Sequence, residues 1–166
     1  MRTGEQGTSL VEVLVATALL MTLMAGLMAM AGLAISTTEN QGHLAARTTE
    51  YAQDKMEQLL SLAYTDSVSN TVVFPATATG GTGLTVGGSV NTSGPVNGYV
   101  DWLGEDGSLL GGGTTAPTKW FYERVWQIST PTAGIKQVAV TVTARTAIGG
   151  ALKPKSTLVA VKAWQF

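Results

Sequence analysis

Glu12 stands where a carboxylate is costly. It lies in GTSLVEVLVA, with Leu10-Val11 before it and Val13-Leu14-Val15 after it, and no residue from Val13 to Thr38 carries a charge. Insertion scales place Asp or Lys at about +2.5 to +3.5 kcal/mol at the centre of a membrane helix and lower toward its ends. Such a residue needs a partner. A second group of carboxylates, Asp101, Glu105 and Asp106 in DWLGEDGS, has the hard oxygen chemistry that calcium takes. The spacing misses the EF-hand frame, and Glu105-Asp106-Gly107 reads equally as a hairpin turn, so no metal is expected and these three are its weak candidates. His43 is the single histidine, with no cysteine in the chain; it reads as a surface residue. Neither glycine cluster of the middle region is followed by Gly-Lys-Ser/Thr, which excludes a phosphate-binding loop of that type. Nothing forms a catalytic constellation, and no cofactor is expected.

These residues sit on recognisable elements. Val13 to Thr38 is 26 residues long, dominated by Leu, Ala and Met, and contains no proline; as a helix it can cross a bilayer core of about 30 Å. A cleaved secretory signal explains it poorly, because the apolar run is too long and MRTGEQG pairs one Arg with one Glu. A plain membrane anchor explains the length but leaves Glu12 without a reason. From Glu39 the apolar positions recur at Leu44, Thr48, Tyr51/Ala52, Met56, Leu59/Leu60 and Ala63, close to a 3.6-residue period. Glu50, Gln53, Asp54, Glu57 and Gln58 fill the rest, and a plain amphipathic helix would leave Asp54, Lys55 and Glu57 solvated. One helix is therefore expected from Ser9 to about Tyr64, apolar all round and then amphipathic. Residues 65–118 are rich in Gly, Thr, Ser and Asn, with short strands expected at Thr71–Phe74, Leu84–Val86 and Tyr99–Leu103. Residues 119–166 predict three antiparallel strands, Trp120–Ile128, Ile135–Arg145 and Thr157–Trp164, turning at Pro131–Gly134 and Gly149-Gly150. The expected fold class is α+β. From Lys119 onward seven basic residues face one acid, Glu123. They could attract nucleic acid, but edge protection of the strands explains them better.

The stretch from Gly7 to Ala16 resembles the type III signal of type IV pilins and type II secretion pseudopilins. The resemblance implies a leader, residues 1–7, cut by a prepilin peptidase between Gly7 and Thr8, with Glu12 as fifth mature residue. Thr8 stands where the family usually has phenylalanine, and its N-methylation is an expectation of the resemblance alone. The resemblance further implies that Glu12 of one subunit pairs with the new amine at Thr8 of its neighbour. Tyr51–Leu59 is similar to the A-Q-x-K-x-E-x-L pattern of PilV-like minor pilins, as is a strand with Arg124-Val125-Trp126 followed by alternating valines. The implied architecture is pilin-like: residues 8–38 for the membrane or fibre core, 39–64 amphipathic, and a β-sheet head packed on that second half. The implied function is a minor pilin or pseudopilin of a bacterial type IV pilus-like fibre. Its implied partners are other pilin subunits, the prepilin peptidase, the inner membrane and its assembly platform, and its implied place is the inner membrane, then the fibre. The rivals are a type II secretion pseudopilin and a membrane-anchored binding domain or enzyme.

Overall fold

The computed structural model describes residues 10–73, 79–146 and 153–164. Gly7, Thr8, Phe74 and the Gly149-Gly150 turn lie outside the described residues. The chain divides into two compact units, residues 1–40 and 41–166. One helix, α1 (Leu10–Ser61), contributes to both.

In the first unit the helix is apolar on every side, and its side chains from Leu10 to Ser36 are exposed. It is long and apolar enough to cross a membrane. The hydroxyls of Thr17, Thr22, Thr37 and Thr38 donate back to carbonyls three or four residues earlier, so they need no water.

The second unit is α+β. Strands β1 (Gly87–Gly88), β2 (Val100–Leu103), β3 (Leu109–Gly112), β4 (Tyr122–Thr132), β5 (Ile135–Ala144) and β6 (Lys155–Ala163) form one antiparallel sheet ordered β3-β2-β4-β5-β6, with β1 beside β4. Alternation decides the faces. Val138, Val140 and Val142 of β5 and Tyr122, Trp126 and Ile128 of β4 pack against Tyr51, Ala52, Met56 and Leu59 of the helix. Val100, Trp102 and Val125 form a smaller cluster with Trp120 on the opposite face. Along the sheet, Thr48 meets Ser156 at 2.9 Å and Tyr51 meets the Tyr122 ring at 4.9 Å. At the other end, Tyr64 meets Trp164.

Several boundaries differ from expectation. The helix ends at Ser61 rather than Tyr64, because Lys162 takes the Leu60 carbonyl at 2.5 Å and Lys136 that of Tyr64 at 2.7 Å, which turns the last carbonyls toward side-chain donors. Thr71 to Val73 is a turn instead of a strand: the Asn70 side chain accepts the Val72 N–H, and Lys55 takes the Thr71 carbonyl. Leu84–Val86 is not a strand either; pairing falls on Gly87–Gly88. β4 runs on through Pro131, tolerated at an irregularity between Ser129 and Thr132, and the turn shrinks to Ala133-Gly134, with Gly134 at φ 77°.

Candidate functional site

Glu12 lies in the first turn of α1, exposed to the surroundings of the apolar stretch. A carboxylate there favours the positive end of the helix dipole, and no cation among the described residues pairs with it.

The head holds a second ionic site. A plain amphipathic α1 would leave Lys55 solvated. Its side chain is instead fully buried, as is that of Asp101. The Lys55 ammonium donates to Asp101 Oδ2 at 2.9 Å, to Gln58 Oε1 at 2.9 Å and to the Thr71 carbonyl. Arg124 adds a fork to the same carboxylate, Nε to Oδ1 at 2.6 Å and Nη2 to Oδ2 at 2.9 Å. Below, the Trp126 ring lies 4.0 Å from the ammonium, a cation–π contact. Burial lowers the Lys55 ammonium to about 8, against the pull of Asp101 in the other direction. Burial alone would raise the Asp101 carboxyl, but the Lys55 and Arg124 charges and their hydrogen bonds hold it below the usual range.

This arrangement corrects the grouping of Asp101 with Glu105 and Asp106. Asp101 is on β2 with its oxygens committed, whereas Asp106 is in the following turn with its Oδ1 on Ser108. Among the described residues no three of His, Cys, Asp and Glu converge as a metal cluster, and His43 is exposed on the helix. The basic bias of the C-terminal strands also resolves into parts. Arg124, Lys136 and Lys162 serve groups of the head itself, while Lys119, Arg145, Lys153 and Lys155 are exposed.

No protein-family model, curated protein or solved structure matches this chain. The head must therefore be read from its own chemistry. Beside the buried node a groove of about 680 Å³ opens between α1 and the β2–β3 edge, with Tyr51, Asp54, Glu57, Leu103 and Arg124 among its lining. The Tyr51 hydroxyl is buried there without a hydrogen-bond partner. On the opposite sheet face, Glu123 is 6% exposed and its Oε1 has no partner, like Oγ1 of its cross-strand neighbour Thr143. Burial pushes the Glu123 carboxyl up to about 7, with the Lys153 ammonium pulling it down.

Sequence reasoning missed Lys55 as a buried residue, yet a signal was present. Of the residues matching A-Q-x-K-x-E-x-L, Ala52, Lys55 and Leu59 are the buried ones, while Gln53 and Glu57 are exposed. Arg124 and Trp126, in the second stretch that carried the resemblance, complete the node. Tyr51 and Glu123 had no such signal.

Proposed function

We propose that the chain is a structural, non-catalytic subunit, a minor pilin or pseudopilin, of a bacterial type IV pilus-like fibre. The observation that carries this reading is the division of labour along α1. Its first part is uncharged from Val13 to Thr38 and exposed on all sides through Ser36, a surface of large apolar side chains that water disfavours. Its second part buries one stripe on an antiparallel sheet. A lipid bilayer can cover the first part before assembly, and a bundle of like helices can cover it afterwards. Glu12, at the start of that surface, then takes the amine that cleavage between Gly7 and Thr8 releases on a neighbouring subunit. Two charges in a low-dielectric setting are each costly alone, and a pair offsets part of that cost while fixing the axial register.

The depressed Lys55 ammonium is the feature that would most favour an enzyme. It is sealed beneath the helix by Asp101, Gln58 and Thr71, with its side chain fully buried, so no substrate reaches it. A scaffold role explains it without a substrate.

Mass spectrometry of the mature chain should place its N-terminus at Thr8. Glu12→Ala should leave that cleavage intact and lower the amount recovered in sheared surface or periplasmic fibres at least tenfold. An uncut leader, or a Glu12→Ala chain that enters fibres at the wild-type level, would overturn the reading.

A further inference from the structure

The two edges of the head carry opposite charge. On the β3 side, Asp54 and Glu57 line the groove beside α1, and Glu105 and Asp106 stand in the β2–β3 turn. On the β6 side, Arg145 follows the end of β5 and donates to the Trp120 carbonyl at 3.3 Å, Lys153 lies just before β6 within electrostatic reach of Glu123, and Lys155 begins β6; all three are exposed. The Ala144 N–H bonds the Pro154 carbonyl at 3.0 Å, which brings the two stretches together as one basic corner. From residue 119 on, Glu123 is the only acid, and it is buried. β3 and β6 are opposite edges of the sheet, so these patches cannot neutralise each other within one head.

We infer that the acidic groove of one copy receives the basic corner of a second copy, with Lys153 or Lys155 against Asp54 and Glu57. Two observations beyond charge support this. The groove is lined by Tyr51, whose buried hydroxyl has no hydrogen-bond partner among the described residues of the head. The basic corner also continues into an uncovered apolar strip, Val159 and Val161 of β6, 56% and 62% exposed. A contact between different surfaces of identical chains does not close on itself. It propagates as a ring or a helix, which is the symmetry a fibre subunit requires. The inference takes its setting from the fibre-subunit reading but concerns only the heads.

A water-soluble carbodiimide joins carboxylates to amines without a spacer, so it reads this contact in the full-length chain in membranes or detergent. Equal amounts of ¹⁴N- and ¹⁵N-labelled chain should give a ladder of dimers and higher species, with mixed-isotope links from Asp54 or Glu57 to Lys153 or Lys155. Because both patches are exposed, the ladder should fade between low salt and 1 M salt. Asp54→Lys with Glu57→Lys should lower it at least tenfold, as should Lys153→Glu with Lys155→Glu, and the two sets combined should restore it. Restoration separates a lost contact from a damaged fold. The inference is overturned if the wild type gives no ladder, if the combined variant is not restored, or if the lysines link only to a different protein. A ladder from a chain whose leader is never removed would sink the fibre-subunit reading alone; a mature chain that enters fibres with no such links would sink this inference alone.

Discussion

At Lys55 the chain buries an ammonium that its neighbours in sequence, Asp54 and Glu57, would have left in water. What draws it inward is a carboxylate 46 positions away, Asp101, with Arg124 beyond it. That is why the position was illegible: periodicity placed Thr48, Tyr51, Ala52, Met56 and Leu59 on the buried stripe, but no local rule announces a partner on a distant strand. The node predicts unequal costs. Asp101→Ala strands two cations beneath the helix and should destabilise the head by about 3–5 kcal/mol. Lys55→Met keeps the Asp101–Arg124 fork and loses donors to Gln58 and Thr71, at a cost of about 1–2 kcal/mol. Denaturant unfolding of the full chain in detergent, followed by tryptophan emission, should rank them in that order. The pH dependence has a definite sign. Folding lowers the Lys55 ammonium from 10.5 to about 8, so between those values the unfolded state binds more protons and stability rises with pH. Lys55→Met should lose that rise. Equal costs for the two variants, or an unchanged slope, would sink this account of the node.

Among the elements, those with a side-chain pattern were readable and those held by backbone pairing alone were not. The alternation of Val138, Val140 and Val142 marks β5, and all three are buried. β6 follows from its Thr/Val alternation, and β4 from its aromatic residues. β3 (Leu-Leu-Gly-Gly) and β1 (Gly-Gly) carry no comparable pattern. They exist because β2 and β4 present free backbone groups for them to pair with. β1 shows how glycine can be the requirement rather than a weakness. Gly88 has φ 80°, and a Cβ there would stand 2.2 Å from the Trp126 carbonyl oxygen and 2.8 Å from the Tyr99 ring. Gly88→Ala combines left-handed strain with a clash that backbone cannot yield to, and should cost at least about 2 kcal/mol. Gly113 at φ 105° has open space around its Cβ position. Gly113→Ala therefore meets strain alone and should cost about 1 kcal/mol. Thermal unfolding of the two variants side by side checks the difference. A Gly88→Ala midpoint no lower than that of Gly113→Ala would show that β1 is not docked in this way.

Over the whole molecule, the change of helix character near residue 40 was visible in the sequence, because charge and polar residues return at Glu39 after 26 uncharged positions. The same change divides the chain into its two compact units. It also separates two sources of stability. The residues that α1 contributes to the head core begin at Leu44 and end at Leu60, and every residue from Leu10 to Ser36 is exposed. On the proposed reading, lipid or other helices supply the cover for that apolar half. A helix of that composition is stable alone only where something covers it, since most helical stability in proteins comes from packing. The head needs no such cover: Lys55, Asp101, Arg124 and the β4–β5 core are complete within residues 41–166. A chain beginning at Gln41 should thus be soluble without detergent. It should keep the near-ultraviolet circular dichroism of the Trp126 environment and unfold within a few degrees of the full chain measured in detergent. The few residues ahead of Thr48 should fray, since a new helix end lacks partners for its first amides, without touching the Thr48–Ser156 contact. A fragment that lacks near-ultraviolet signal, or melts far below the full chain, would mean that the apolar half supports the head after all.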